Sequence, residues 1–510
     1  MTKKQLMVWM LMAWCTAAAA QLRPWDPACY RLNQMQPHDR IVPEGDWERS
    51  LDGMWIDGHG DTVPVPNALP LRDSVTVLSR TFTLPGHWHG RRTVLKFAAA
   101  GPALVVSVNG REAGYTVDSK SPAEWDITRL LRPGTNRLEA RLLRSCAGSR
   151  LEEELPPGGI TRSVTLYSLP TTYISDVKVT ADLDPADYRT GRLDLLVDLS
   201  REVQGGTVEA WLTAPCREGR CDTVAHLRRR LASGDWYASL AATVPDIRPW
   251  CDTAPTLYTL TLRLLDPAGR ETERLVKRIG FRRVEVLQGL LCLNGKPLEL
   301  RGINRPERSA LGGQHPSHEE MRRVATLLKG MGVNAVRTPC YPADEYWYDL
   351  CDSLGLYLWD EANIQTSDSA LTESLEWVNP VLYRVYNMYR RDRNHPSVIV
   401  WSLGRFAHNG HCAREAYRFL KGKDNTRPVV LPGVWNVRAT DLASPPNLSP
   451  WLLTRLADKL PAATPCLPAD LTPLGGSLDD HWRAILRHPR LQGAFFSGFE
   501  AGDLKALFSK

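Results

Sequence analysis

A chain of 510 residues with 63 Lys+Arg, 57 Asp+Glu and a formal charge of +6 is too long for one hydrophobic core, so about three domains are expected. Its apolar content, 43%, is that of a globular protein. The positive charge is small and dispersed, with no basic cluster interleaved with aromatics, which argues against nucleic acid as a partner. No apolar run is long enough for a helical membrane span.

The opening MTKKQLMVWMLMAWCTAAAAQ reads as a secretory signal, with Lys3 and Lys4 before a short apolar run from Leu6 to Trp14. Ala18 and Ala20 form an A-x-A site before Gln21, so cleavage near Ala20 is expected to remove residues 1–20 and export the chain, to the periplasm or outside the cell. Met12, Ala13 and Trp14 make a poor lipobox for Cys15. Removing Cys15 leaves ten of the 11 Cys, in a compartment that permits disulfides. Cys216 and Cys221 flank a short turn and are spaced to bridge a hairpin. Cys292 and Cys351 stand among apolar residues and read as buried free thiols. No C-x-x-C or His/Cys cluster suggests zinc. The 17 Trp are read first as core packing and second as sugar-stacking surfaces.

Residues 21–170 are expected to be all β. Alternating runs at Val75 to Leu84, Thr93 to Phe97, Leu104 to Val108 and Leu138 to Leu143 are separated by Pro85-Gly86, Asn109-Gly110 and Pro133-Gly134. The acidic stretch Glu152-Glu153-Glu154 reads as a solvated loop. Residues 171–282 are again β, with runs at Ile174 to Leu183, Leu193 to Leu199, Gly206 to Leu212 and Thr256 to Leu265. About seven short strands in this length suit an immunoglobulin-like sandwich.

From residue 283 the rhythm changes to alternating strands and helices. Strands are expected at Leu298 to Asn304, Asn334 to Arg337, Leu356 to Ala362, Val398 to Gly404 and Gly493 to Phe499, with weaker candidates at Val429 to Leu431 and Cys466 to Ala469. Helices are expected at Ser317 to Met331, Asp344 to Leu354, Pro380 to Arg391, Cys412 to Leu420 and Leu478 to His488. Ser317, with Glu320 three residues on, is a capping box. Repeated βα units point to a TIM barrel in residues 283–510. This barrel is lean, and its last helix is expected to be short or absent.

The stretch Asn394 to His408, NHPSVIVWSLGRFAH, carries most of the functional information. A β-branched run bounded by turn signals suits a strand buried on both faces. The residues just past it then sit where α/β barrels keep their chemistry. The stretch resembles the fourth barrel strand of glycoside hydrolase family 2, the β-galactosidase branch, which reads NHPSIIxWSLGNE there. Further phrases carry the same resemblance: RTFTLPGHWHGRRTVLKF and GGITRSVTLYSLP in the first domain, and PRLQG near the end. The resemblance implies a jelly-roll sandwich, an immunoglobulin-like sandwich and a C-terminal (β/α)8 TIM barrel.

It also implies where the chemistry should be. Retaining glycosidases need two carboxyl groups about 5 to 5.5 Å apart, placed in this family at the ends of strands four and seven. The resemblance puts Phe406 at the acid/base position and Ala469 at the nucleophile position. Neither side chain transfers a proton or forms a glycosyl ester. The family's magnesium phrase DEANIETHG becomes Asp360 to Asp368 with Gln365 and Ser367 in place of two ligands, and the third ligand is again the Phe406 position. No cofactor is therefore expected. Two sugar-contacting His positions hold Pro306 and Cys340, and a stacking Trp position holds Ser497. Arg301, Asn304, Arg337, Tyr341, Asn363 and Trp401 match the family.

Glu361 and Asp470 are the candidates for displaced carboxylates, with Asp360, Glu500 and His408 also near strand ends. Arg337, Asn363 and Trp401 are the candidates for sugar contact. Two functions are carried forward. One is a β-galactosidase-like protein of carbohydrate metabolism that lacks the usual hydrolysis, a pseudoenzyme that binds a β-galactoside or another glycan. The other is an active exported β-glycosidase using displaced carboxylates. The sequence leaves oligomeric state open.

Overall fold

The computed structural model describes residues 40–41, 47–68, 71, 73–152, 158–216, 219, 221–307, 316–434, 440–472, 477–498 and 507–508. Residues 1–20, the segment read from sequence as an export signal, and Glu500 lie outside them. Among the described residues no helix is long and apolar enough to cross a membrane.

The first domain packs a six-stranded antiparallel sheet on a four-stranded one, with three short strands alongside. Strands Val75–Phe82, Ala103–Val108 and Asn136–Leu143 lie side by side in the larger sheet. Arg92–Phe97 and Val164–Leu169 are neighbours in the smaller. The Asn109-Gly110 signal closes a tight hairpin, both residues taking positive φ (54° and 76°) as such turns require. Trp55, Phe97, Leu78 and Leu166 meet in the core between the sheets.

The middle domain is a second sandwich, of a five-stranded and a three-stranded sheet. Gly191–Leu199 alternates buried and exposed residues along most of its length, the pattern of a strand with one wet face. One strand of the five, Arg40–Ile41, comes from within residues 21–170, ahead of the strands of the first sandwich, and pairs with Glu271–Ile279. Cys216 and Cys221 are disulfide-bonded, with Cα atoms 4.1 Å apart. Cys292 and Cys351 are buried free thiols.

The barrel sheet runs, in spatial order, Val429–Val430, Val398–Ser402, Tyr357–Glu361, Ala335–Arg337, Leu300–Asn304 and Gly493–Phe496, all parallel. Single parallel bridges at Ala443–Cys466, Cys466–Leu491 and Leu471–Phe496 carry the ring across the sixth and seventh positions. Cys466 to Ala469 is thus held by isolated bridges and not by a regular strand. The helices follow the sequence closely. His318–Gly330 opens on the expected capping box, in which Ser317 Oγ accepts from Glu320 N at 3.2 Å and the Glu320 carboxylate accepts from Ser317 N at 2.8 Å. Glu345–Leu354 is capped by Asp344 and ends at Gly355 with φ 70°. The helix Pro450–Lys459, with Ser449 as its cap and Pro at its first position, is not among those expected, although Ser-Pro is a helix-start signal.

Two apolar layers hold the barrel. Trp359, Val400, Leu467, Ala469 and Phe495 belong to its interior cluster. A second cluster, which includes Leu358, Trp401, Val385 and Ala416, lies between strands and helices.

Candidate active site at the barrel mouth

The fourth strand ends in a turn that only glycine accommodates. Gly404 has φ +90°, and a Cβ there would lie 2.5 Å from the Ile364 carbonyl oxygen. The following backbone is tied down: Arg405 N donates to Ile364 O at 2.8 Å, and Thr366 N to Arg405 O at 3.0 Å. This geometry leaves Arg405 exposed and Phe406 half-buried. The Phe406 ring packs against the apolar cluster between strands and helices. Ala469 is 3% exposed, and its methyl joins the barrel interior. Its carbonyl accepts from Asn304 Nδ2 at 2.9 Å and from Arg337 Nη1 at 3.2 Å. Both positions are therefore packing positions in this chain.

Glu361 and Arg337 form a buried pair. Glu361 is 1% exposed and accepts from Arg337 Nε and Nη2, from Cys340 N at 2.8 Å and from Ser402 Oγ at 2.8 Å. Arg337 spends its remaining nitrogen, Nη1, on Asn304 Oδ1 and the Ala469 carbonyl. Neither residue keeps an open side toward a ligand. Cys340, which supplies that amide, sits at φ 76°. Asp360 is fully buried and accepts from the Tyr348 hydroxyl. Burial and the neighbouring Asp392 carboxylate hold its carboxyl well above the usual range.

Asp470 differs from these. Its side chain is exposed, and Oδ1 accepts from Ser497 Oγ at 2.7 Å and from Asn304 Nδ2 at 3.2 Å. Ser497 Oγ also accepts from Asn304 Nδ2, at 2.9 Å. Asn304 thus joins the buried Arg337 pair to a small polar cluster at the rim. Asp470 Oδ2 has no hydrogen bond from a described side chain. His408 points elsewhere, to Glu373 at 2.9 Å.

Asn363 and Trp401 lie away from open solvent. Asn363 is 1% exposed and donates to Asp118 Oδ1 at 2.6 Å and Glu152 Oε1 at 2.8 Å. Trp401 has no exposed surface. Its indole donates to Asp424 at 2.9 Å, among the ring of Tyr389 and the guanidinium of Arg427.

Glu152 corrects the reading of its stretch as a solvated loop. It is 6% exposed and lies at the junction between the first domain and the barrel. It accepts from Ser119 N and Oγ, from Asn363 and from Arg384. Arg384 also donates to the carbonyls of Asn363, Val117 and Gly148. The sequence carried little signal for this cluster, because Glu152 stands more than 200 residues from Asn363 and Arg384. Glu153 and Glu154 lie outside the described residues.

The positions assigned by resemblance to magnesium do not fit that ion. Gln365 offers an amide oxygen, buried and without a hydrogen-bond partner among the described residues. Ser367 is exposed, and Phe406 has no side-chain oxygen. A hard dication favours charged oxygens in number, and this set contains none.

Comparison with known proteins places this geometry. Three family models match in succession: "Glycosyl hydrolases family 2, sugar binding domain" over residues 35–170, "Glycosyl hydrolases family 2" over 172–282, and "Glycosyl hydrolases family 2, TIM barrel domain" over 284–506. The chain belongs to glycosyl hydrolases family 2. Within this family it is β-galactosidase-like. It is 36% identical over 465 residues to a β-galactosidase of Enterobacter cloacae, covering 85% of this chain and 45% of that one. It is 37% identical over 429 residues to a β-galactosidase of Vibrio vulnificus (strain YJ016), covering 78% and 41%. The chain thus spans less than half the length of these curated relatives. Its fold matches solved β-glucuronidases. That of Bifidobacterium dentium, complexed with coumarin-3-O-glucuronide, superposes with TM-score 0.76 at 20% identity, covering 90% of this chain and 92% of that one. That of an uncultured Clostridium sp. superposes with TM-score 0.77 at 18% identity, covering 92% and 99%.

Proposed function

We propose that this family 2 chain does not perform double-displacement glycoside hydrolysis and uses its barrel mouth to bind a glycan. The observation that carries the reading is the packing of both carboxylate positions: Phe406 against the strand–helix core and Ala469 inside the barrel. The chemistry needs an acid/base and a nucleophile about 5 to 5.5 Å apart. Glu361, one of the two displaced candidates, already accepts from Arg337, Ser402 and Cys340. Asp470 remains, exposed and oriented by Ser497 and Asn304. A carboxylate oxygen without a hydrogen bond from a described side chain, beside a hydroxyl and an amide, is a set suited to sugar hydroxyls. The ligand class is a β-galactoside or a related β-linked glycan, by analogy with the curated relatives. On the same reading the protein works without magnesium, and its amino-terminal segment directs it to export.

Asp470 also supports the second reading, an active β-glycosidase built on a displaced carboxylate. One experiment separates the two. The purified protein is titrated with galactose and a panel of β-linked oligosaccharides, following Trp fluorescence and chromogenic hydrolysis in the same samples, with and without chelator. The expected result is binding that Asp470→Ala removes, with no turnover and no effect of chelator. Turnover that Asp470→Ala abolishes would establish the second reading. Absence of both binding and turnover would reject the glycan-binding reading.

A further inference from the structure

A second concave site lies at the end of the barrel opposite its mouth. The middle sandwich there meets the segments that lead into the fourth and fifth strands, enclosing a cavity of about 310 Å³. Its walls carry five cations, Lys178, Arg282, Arg283, Arg393 and Arg427, and three carboxylates, Asp182, Glu285 and Asp424. The carboxylates are all engaged. Arg283 takes Asp182 at 2.6 Å and Glu285 at 3.1 Å. Arg427 takes Asp424 at 2.6 Å. Arg393 reaches outside the cavity to Asp176 at 2.7 Å.

Lys178 and Arg282 are left with carbonyl partners alone. Arg282, 6% exposed, donates to the carbonyls of Pro396 and Val398, each at 2.9 Å. Lys178 Nζ donates to the carbonyl of Lys423 at 3.1 Å. Among the described residues neither forms an ion pair. Arg393 Nε, in a side chain 9% exposed, is buried without a hydrogen-bond partner among the same residues. A buried guanidinium that lacks a counter-charge is costly. Accordingly, burial first and the neighbouring Arg427 second push Arg282 down to about 9, and burial lowers Lys178 as well.

We propose that this cavity is an anion site that takes a phosphate-type oxyanion, with Arg282 Nη1 and the Lys178 ammonium as its charged contacts. Nε and Nη2 of Arg282 are held by the two carbonyls, so Nη1 is the nitrogen left to meet an oxygen of such a group, and the ammonium adds a point charge to another. The same chemistry is presented by free phosphate and by a small sugar phosphate. A ligand here would bridge the middle domain, through Lys178 and Arg282, to the barrel segments around Asn394 and Asn425.

The test uses calorimetric titration and thermal unfolding of the whole chain with inorganic phosphate, and separately with glucose 6-phosphate, each against sodium chloride at matched ionic strength. Expected are a saturable heat and a Tm that rises with phosphate. Lys178→Gln, a half-buried position whose loss the fold should tolerate, should weaken binding about tenfold, the value of a charged hydrogen bond. Lys178→Arg should largely restore it. Tighter binding of glucose 6-phosphate would assign the site to the ester, and binding of inorganic phosphate alone would assign it to the free ion. No saturable heat with either, or identical titrations of wild type and Lys178→Gln, would overturn the proposal.

Discussion

Phe406 and Ala469, the residues that the resemblance sets at the two carboxylate positions, are packing groups in this chain. Placing a carboxylate at either works against the surroundings that fill it. Ala469→Glu would put a charge into the barrel interior, beside Leu467 and Phe495, and should cost on the order of 3–5 kcal/mol. Phe406→Glu, at a half-buried site, should cost about 1–3 kcal/mol. Urea unfolding of the two variants should rank them in that order, and neither should hydrolyse a chromogenic β-galactoside. Asp360 makes a second prediction at this scale. Its folded-state pKa is raised, so above the ordinary Asp value of about 3.9 the native state keeps a proton that the unfolded chain has released. Stability should therefore fall as pH rises from there through the folded-state pKa. Asp360→Asn should flatten that slope, read as the unfolding midpoint across pH 4–7.

At the scale of elements, the turn after the fourth strand decides where the site residues point. Gly404 lets the chain reverse so close to the Ile364 carbonyl that any Cβ would meet its oxygen at 2.5 Å. Gly404→Ala combines that clash with an unfavourable positive φ and should destabilise by more than about 1 kcal/mol. It should also displace Arg405 and Phe406, which a shift in near-ultraviolet circular dichroism would register. Most elements were legible because their signals are local. The Ser317 capping box, the Asn109-Gly110 hairpin and the β-branched run from Val398 all act within a few residues. Cys466 to Ala469 was harder, since a segment held by single bridges has little pattern of its own.

At the scale of the molecule, the junction between the first domain and the barrel rests on buried charge. Glu152 faces Arg384, Asn363 and Ser119 with almost no solvent. Glu152→Ala leaves Arg384 buried with Asp118, at 3.6 Å, as its remaining carboxylate among the described residues, and should cost about 3–5 kcal/mol. Calorimetry should then show the first domain melting ahead of the barrel, whereas the parent protein should unfold with the two coupled. A single transition with an unchanged midpoint would mean the junction draws its strength from apolar contacts.

The sequence by itself determined the family, the order of its domains and the barrel, because periodicity, turn chemistry and motif identity are properties of short stretches. Tertiary structure decided what those residues do. Glu361 and Asp470 look alike as displaced acids, yet one is consumed by Arg337 and the other stands exposed beside Ser497. Asn363 and Trp401, candidates for sugar contact by sequence, are buried in contacts with residues distant in the chain. Glu152 reads as a solvated acid until the barrel closes over it. Burial and charge pairing depend on which distant segments meet, and a linear pattern does not specify that.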